Sequence, residues 1–161
     1  MTAADIDRVL AIADAVHPDF PEDRAVFANR IEVFAAGCLS LGVGQEMVGY
    51  LISHPALQDA PPALNSELPG LPSDADCYYI HDLALLPVCR GTGLGRRGAS
   101  LAGEIALQHG FHRMALIAVN HSAPFWQSCG FRVVQPERMR AKLASYGDAS
   151  LFMVRDIPGQ G

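Results

Sequence analysis

Apolar positions recur with a helical period over the first part of the chain. They fall at spacings of three and four over 2–16 and again over 22–36, which predicts two amphipathic helices. Thr2 and Asp5 lie three positions apart at the start of the first helix, a spacing typical of a capping box. The pattern therefore predicts a helical segment at the N-terminal side of the fold.

The pattern then changes to extended segments and a long loop. Residues 38–43 and 46–53 have the pattern of two strands, and the Gly44-Gln45 pair between them predicts a hairpin turn. The next segment, 54–76, holds five prolines and little periodicity. Loops of this length are usually functional or disordered, so a role beside a substrate and a surface insertion both stay open.

The middle of the chain predicts a strand, a helix and a second strand in succession. An apolar extended segment over 78–86 leads into a glycine-rich turn at 90–95. Apolar positions then recur at helical spacing over 94–109, and Gly110 is placed to end the helix. The continuous apolar run 114–119 is typical of a strand that is buried on both faces.

The C-terminal part predicts one short helix and two further strands. Ser122 can cap a short helix that Gly130 ends, and 131–134 has the pattern of a strand. The polar segment 136–148 is compatible with a helical turn. The alternating run 150–155 predicts the last strand.

Composition limits the number of domains, the partners and the location that we expect for this protein. The chain has 161 residues, 50% of them hydrophobic, which suits one domain spanning 1–161. Its formal net charge of −5 and its lack of a Lys/Arg run argue against nucleic acid as a partner. It has no apolar run of about 18 residues, so we expect no membrane-spanning helix. Its first residues include acids and no basic leader, so we expect a cytoplasmic location.

The four cysteines are scattered along the chain. Cys38, Cys77, Cys89 and Cys129 show no C-x-x-C spacing. We therefore expect reduced thiols and no metal site.

The glycine-rich turn predicts a phosphate site. Glycines let the backbone approach a ligand closely, and the start of a helix presents unpaired N–H groups and the positive end of its dipole. Arg90, Arg96 and Arg97 add positive charge around the turn.

Two common phosphate motifs fit the turn poorly. Gly93, Gly95 and Gly98 match the glycine spacing of a dinucleotide-binding fingerprint, but Asn120 stands where that motif needs an acidic residue. A P-loop needs Gly-Lys-Ser/Thr, whereas Arg96-Arg97 follow the last glycine of the turn. A third interpretation, based on a longer stretch, fits better.

The turn is part of a longer pattern. Arg90-Gly91-Thr92-Gly93-Leu94-Gly95 has the form R/Q-x-x-G-x-G/A, with Leu83-Ala84-Leu85 before it and 120–131 after it. These segments resemble the GNAT superfamily of N-acetyltransferases. The resemblance implies an α/β (α+β) fold, a single domain with a mixed central sheet, a splayed pair of parallel strands and helices on both faces. It implies an acyl-CoA-binding core at about 77–134, while the family's first strand is apparently missing here.

The resemblance also implies acetyl-CoA as the co-substrate, bound between the two parallel strands. Backbone groups of Leu83, Ala84 and Leu85 would pair with the pantetheine, and the amide of Leu85 would polarise the thioester oxygen. Asn120 and Trp126 would contact the pantetheine. The implied acetyl-CoA-binding residues are Leu83, Ala84, Leu85, Arg90, Gly91, Thr92, Gly93, Leu94, Gly95, Arg96, Asn120 and Trp126.

His81 is the candidate general base. An amine must lose a proton before it attacks, and an imidazole with an ordinary pKa near 6.5 can accept that proton at neutral pH. Residues 81–84 resemble the strand of arylalkylamine N-acetyltransferases in which a histidine serves in proton removal. Alternation places the odd-numbered residues of 79–85 on one face, with Tyr79 as a second acceptor contact. It places Asp82 on the other face unless a bulge intervenes.

Two aromatic assignments leave alternatives open. Phe27, like Phe20, is a candidate for the wall of an acceptor cavity, although an ordinary core position is favoured. Trp126 stands where the family often has a tyrosine that protonates the departing thiolate. An indole N–H is a hydrogen-bond donor but not a useful acid, so the identity of the acid stays open.

The resemblance implies direct transfer of an acetyl group to a primary amine. We expect the amine of a small molecule, on the shortness of the chain and on His81. A protein N-terminus or a lysine side chain is the alternative acceptor. A non-catalytic acyl-CoA-binding module is the alternative from another class, because the tyrosine is replaced. No membrane or nucleic-acid partner is expected, and a homodimer is left open.

Overall fold

A computed structural model of the chain describes residues 1–147 and 149–159. The strands are β1 Cys38–Val43, β2 Glu46–Ala56, β3 Cys77–Leu85, β4 Arg113–Ala118, β5 Arg132–Val133 and β6 Leu151–Asp156. The helices are α1 Ile6–Val16, α2 Arg24–Phe34, α3 Leu94–Gln108, α4 Ala123–Ser128 and α5 Arg140–Ser145. Short 3-10 turns precede α1 at Ala3–Asp5 and α5 at Glu137–Met139.

Two of these bounds differ from the sequence prediction in ways that affect the site. Helix α2 begins at Arg24, because Asp23 has an extended backbone and caps the helix, which leaves Glu22 outside it. Strand β2 continues to Ala56, which pairs with Cys77 of β3. The proline-rich loop is therefore 57–76, three residues shorter than predicted at its start.

The sheet is mixed, as predicted. Its strand order is β1-β2-β3-β4-β6-β5, and all neighbouring pairs are antiparallel except β3 and β4. The parallel ladder between β3 and β4 holds only three residue pairs, the last of which is Ile80 with Leu116. Both strands continue beyond that point without pairing, so the predicted splayed pair is confirmed.

A β-bulge marks the point where β3 leaves β4. Ser53 of β2 pairs with Ile80, whereas the next residue back, Ile52, pairs with Asp82, so His81 has no partner in β2. An extra residue on one strand locally disrupts the alternation of side chains. His81 and Asp82 consequently line the same cleft, on the face that also carries Tyr79.

The bulge makes part of the sequence prediction wrong. Regular alternation placed Leu83 and Leu85 on the face of His81 and Asp82 on the opposite face. In the structure Leu83 packs toward α3, where a Cβ at Gly98 would lie 3.1 Å from its Cδ1. Ala84 faces the other way and is fully buried beside α1.

Helices cover both faces of the sheet, as predicted. Helices α3 and α4 cover one face over a core that includes Leu51, Tyr78, Ile80, Ala102, Leu116, Trp126 and Met153. On the other face, α1 and α2 cover Tyr50, Ile52 and Ala84. The segment around Met139 covers Tyr79, Ala115 and Phe152 farther along that face. The middle of β3, with His81 and Asp82, lies between these two clusters.

The described residues also bear on membrane insertion, metal binding and the state of the cysteines. In 1–147 and 149–159, no helix has both the length and the apolarity needed to cross a bilayer. Over the same residues, no group of three or more His, Cys, Asp or Glu side chains is arranged to hold a metal ion. The four cysteines are free thiols. The described residues before α1 form the 3-10 turn Ala3–Asp5.

Candidate active site

The glycine-rich turn has the backbone of an anion site. Gly91 and Gly93 have φ values of 80° and 86°, in the left-handed region that favours glycine, and Gly93 directly precedes α3. The amide of Arg97 makes the helical hydrogen bond to Gly93 O at 2.9 Å. The preceding amides at the start of a helix have no intrahelical partner and point outward. A negatively charged ligand would meet these groups at the positive end of the helix dipole.

The three arginines near the turn are not equivalent. Arg96 donates to Ser128 O at 2.6 Å and to Ser128 Oγ at 3.1 Å, which ties the turn to the end of α4. Arg97 makes an exposed ion pair with Glu104 at 3.1 Å. Arg90 is exposed and has no ion pair among the described residues. Arg90 is therefore the guanidinium available to a ligand, while Arg96 offers its backbone amide.

The splayed strands leave backbone groups of β3 unpaired. Leu86 donates its amide to Val48 O of β2 at 2.8 Å. Because hydrogen bonding alternates along an antiparallel strand, the amide of Ala84 also points to β2, whereas those of Leu83 and Leu85 point to the β4 side. The ladder with β4 has already ended at Ile80. Leu83 and Leu85, without Ala84, can therefore pair with an extended ligand in the gap.

A cleft of about 50 Å³ opens beside this gap. From β3 it is lined by Tyr79, His81 and Asp82, and from the β4 side by Ile117 and Val119. The remaining lining residues are His17, Phe20, Glu22, Leu64 and Tyr146. A space of this size has room for only a few non-hydrogen atoms.

His81 forms a buried pair with Glu22. His81 Nε2 lies 2.7 Å from Glu22 Oε1, and the two side chains are 5% and 6% exposed. A carboxylate accepts hydrogen bonds, so Nε2 is the nitrogen that donates to Glu22, and Nδ1 is the ring nitrogen outside this contact. Glu22 Oε2 accepts a further hydrogen bond from the amide of Asn65 at 3.1 Å.

A second histidine–carboxylate pair lies next to the first. His17 Nε2 contacts Asp82 Oδ1 at 2.9 Å, and the Tyr50 hydroxyl donates to the same carboxylate. Burial lowers the pKa of His17, but the Asp82 carboxylate outweighs burial and raises it above 6.5. Burial likewise raises the pKa of Asp82, and contacts with His17 and Tyr50 outweigh it and lower that pKa. Each partner therefore favours the charged form of the other.

Asn120 connects the far side of the gap to this second pair. Its side-chain amide Nδ2 lies 3.2 Å from His17 Nδ1, and its backbone is left-handed, with φ 52°. The contact bridges the end of β4 and the end of α1. The structure thus places Asn120 at the gap, beside the cleft residue His17.

The two tyrosines of the cleft are donors rather than bases. Burial raises the pKa of Tyr79 well above 10 and that of Tyr146 to about 12. Both phenols therefore stay protonated at neutral pH. Of the cleft residues, His81 has an imidazole that the Glu22 carboxylate orients through Nε2.

Two predicted site residues lie in the core: Phe27, a candidate for the acceptor cavity, and Trp126, a candidate for contact with the pantetheine. Phe27 is 1% exposed and packs edge-on against Tyr50 at 5.9 Å, and it is not among the residues that line the cleft. Phe20 does line the cleft and stacks on Tyr146 at 6.2 Å. Trp126 is 6% exposed, between the rings of Phe125 and Phe131. Its position is that of a core residue below the turn.

Trp126→Ala should reduce stability more than ligand binding. Removing a buried indole leaves a cavity between two aromatic rings, so the free energy of unfolding should fall by about 3–5 kcal/mol, measured by urea denaturation. Trp126→Phe, which keeps an aromatic ring, should lose much less. Unchanged stability with weakened coenzyme A binding would instead place the indole in the ligand site.

Sequence reasoning missed His17 and Glu22. Both belong to the segment between α1 and α2, where His17, Pro18 and Pro21 break the helical pattern. A histidine and acids in a proline-containing break indicate an ordered, non-helical segment. Nothing local indicates that Glu22 meets a residue 59 positions later.

Comparisons with known proteins agree with this geometry. No curated protein matches the sequence significantly. The fold is similar to that of Ard1 from Thermoplasma volcanium, with a TM-score of 0.75, 14% identity, and coverage of 98% of this chain and 95% of that one. It is similar to the ribosomal-protein-S18-alanine N-acetyltransferase from Escherichia coli, with a TM-score of 0.67, 17% identity, and coverage of 100% and 93%.

A third similar structure contains a ligand. N-acetylglutamate synthase from Neisseria gonorrhoeae, complexed with coenzyme A and N-acetyl-glutamate, has a TM-score of 0.72 and 20% identity, and the match covers 96% of this chain and 33% of that one. In sequence, residues 7–131 match the profile of the acetyltransferase (GNAT) family. Because that match covers well over half of the chain and agrees with the fold, the protein belongs to the acetyltransferase (GNAT) family of acyltransferases.

Proposed function

We propose that the chain transfers an acetyl group from acetyl-CoA directly to the primary amine of a small molecule. The observation that carries this proposal is the His81–Glu22 pair, which lies where β3 separates from β4. A base is needed at that point, because an alkylammonium group must lose a proton before it can attack an acyl carbon. Glu22 fixes the imidazole so that Nδ1 is the accepting nitrogen.

The gap and the turn are proposed to hold acetyl-CoA. Amides of Leu83 and Leu85 would pair with the pantetheine, and the start of α3 together with Arg90 would bind the pyrophosphate. The amide of Leu85 would donate to the thioester oxygen as negative charge develops there. His81 takes the first proton from the ammonium group, attack by the neutral amine forms the C–N bond and breaks the C–S bond, and the second proton lost from nitrogen reaches the departing thiolate through water.

Charge and size support an amine of a small molecule. The described residues that line the cleft include two carboxylates, Glu22 and Asp82, and no lysine or arginine. An ammonium group is therefore attracted to the cleft. Leu64, Phe20 and Tyr146 add apolar walls, and the cleft of about 50 Å³ suits a short side chain better than an extended peptide.

Thioester consumption against an amine panel tests this function. The panel contains small primary amines, peptides with free N-termini and peptides with internal lysines, each with acetyl-CoA, and free thiol is measured. We expect turnover with small amines, and we expect His81→Ala to lower it by about 10²- to 10⁴-fold at pH 7. Turnover only with peptides would overturn the small-molecule assignment. Coenzyme A binding by calorimetry without turnover on any amine would indicate a non-catalytic binding module.

A further inference from the structure

The proline-rich loop 57–76 contacts Glu22, the partner of the proposed base, through Asn65. Asn65 lies near the middle of this loop, with a left-handed backbone at φ 52°. Its backbone amide donates to Glu22 Oε2 at 3.1 Å. Its side chain accepts from the amide of Asp23 at 2.7 Å through Oδ1 and donates to Asp23 Oδ2 at 3.1 Å through Nδ2.

An asparagine suits the left-handed backbone conformation at position 65. Asparagine tolerates the left-handed region better than most residues, and its amide offers a donor and an acceptor together. Both functions of the side chain are used on Asp23, the residue that caps α2. The side chain thus fixes where the Asn65 backbone lies, and the backbone amide then meets Glu22.

Glu22 is held from two sides. One carboxylate oxygen contacts His81, and the other contacts Asn65. A carboxylate held by one contact can rotate about its terminal torsion, whereas one held at both oxygens keeps its orientation. The tautomer and ring position of His81 depend on that orientation.

The loop has anchors that do not involve Glu22. Asn29 of α2 accepts from the amide of Leu68 at 2.7 Å and donates to Leu68 O at 3.0 Å. Lys142 donates to Pro61 O, on the other side of Asn65 in the chain. Removal of the Asn65 side chain should therefore disturb the link to Glu22 while most of the loop stays attached.

We propose that Asn65 is a positioning residue for the transfer, which holds the Glu22 carboxylate in the orientation that fixes His81 for proton removal. The inference rests on the proposed role of His81 as the base. The loop is then part of the acceptor site, because Leu64, next to Asn65, lines the cleft. The path runs from Asn65 to Glu22 to His81, and Asn65 is not among the residues that line the cleft.

The first test reads the imidazole itself, without turnover. Asn65→Gly keeps the left-handed backbone and the amide N–H but removes both side-chain contacts to Asp23. Nitrogen-15 NMR of His81 should show the Nε2–H tautomer in the wild-type protein and a mixture of tautomers in the variant. Asn29→Ala, which loosens the loop at Leu68, should lower Tm and keep the wild-type tautomer. A wild-type tautomer in Asn65→Gly would overturn the inference.

A double-mutant cycle provides the second test. Asn65→Gly should lower kcat/KM about 10-fold in the wild-type background and have almost no further effect in Glu22→Gln. If the losses in kcat/KM of the two single variants multiply in the double variant, the two residues act independently, and the proposed path through Glu22 is overturned. If Asn65→Gly does not fold, Asn65→Asp serves in both tests, because it keeps the acceptor for the Asp23 amide but repels the Asp23 carboxylate.

The two tests separate this inference from the proposed function. If no amine is acetylated, the proposed function fails, and the tautomer comparison alone decides whether Asn65 orients the pair. If amines are acetylated and Glu22→Gln has full activity, the pair does not act in catalysis and the role of Asn65 in positioning the base is overturned.

Discussion

Gly93→Asp should weaken coenzyme A binding by about 100-fold or more while the fold persists. The new carboxylate would stand directly before α3, where the amides of the turn and the helix dipole favour a negative ligand. Like-charge repulsion and the loss of two hydrogen bonds to a charged group, about 1.5–3 kcal/mol each, account for a change of this size. A Cβ at this position would meet no atom within 4 Å, so the substitution causes no steric clash in the free protein.

Gly44→Asp is the matched control for this prediction. Gly44 also has a left-handed backbone, φ 61°, and a Cβ there would also meet no atom within 4 Å. It lies in the β1–β2 hairpin, away from the turn at 90–95. Both variants should lose a similar, small amount of stability in thermal melts, about 1–2 kcal/mol for a non-glycine residue in this region. Calorimetry should show weakened coenzyme A binding only for Gly93→Asp, and equal affinities in the two variants would remove the turn from the binding site.

Local sequence patterns predicted the βαβ unit well because its signals are short in range. The apolar spacing over 94–109 and the glycine at 110 are sufficient to predict helix α3 and its end. Gly110 has φ 81°, its amide bonds Leu107 O, and the amide of Phe111 bonds Ala106 O at 2.9 Å. This is a Schellman motif, and all of its residues lie within six consecutive positions, 106–111.

The bulge in β3 could not be derived from local patterns. A bulge depends on the register between two strands, and the pairs Ile52–Asp82 and Ser53–Ile80 fix it at His81. The apolar and polar positions around His81 are compatible with a strand that has a bulge and with one that has none. Regular pairing was therefore the simplest expectation. With the bulge, His81 and Asp82 share a face, and the orientations of Leu83 and Leu85 are reversed.

The hydrogen-bond partners of the site also lie far apart in the chain. Glu22 contacts His81 over 59 positions, and Asn65 contacts Glu22 over 43. Such contacts depend on how the loop 57–76 and the break between α1 and α2 pack on the sheet. A single sequence indicates that these segments are irregular, but it does not indicate which of their polar residues meet.

His81→Ala should lower kcat/KM for amine acetylation by about 10²- to 10⁴-fold at pH 7, the usual contribution of a general base. Affinity for coenzyme A should hardly change, because the turn at 90–95 is separate from the cleft that His81 lines. The loss should shrink at high pH, where more of the acceptor amine is already neutral. A pH–rate profile of both proteins with a saturating thioester concentration measures this difference.

His81→Gln separates the chemistry from the packing. The glutamine amide can still donate to Glu22 in place of Nε2, but it has no basic nitrogen. It should restore most of the Tm that His81→Ala loses, because Glu22 keeps a donor, and it should restore little of the rate. If His81→Gln recovered the rate together with the Tm, His81 would be a structural residue.

A neighbouring histidine controls for the loss of a buried imidazole. The ring of His54 lies 6.3 Å from that of His81, and burial lowers the pKa of His54 to about 3. His54 is thus neutral throughout the assay range, so His54→Gln should leave the acidic limb of the pH–rate profile unchanged.

His54→Gln should change stability instead. The unfolded wild-type chain binds a proton at this residue below about pH 6.5 and the folded chain does not, so wild-type stability falls as pH decreases there, and the variant should lose that contribution. If the wild-type inflection of the acidic limb survives in His81→Ala, beyond the rise that deprotonation of the acceptor amine causes, the base would be another cleft residue, such as Asp82 acting through a water.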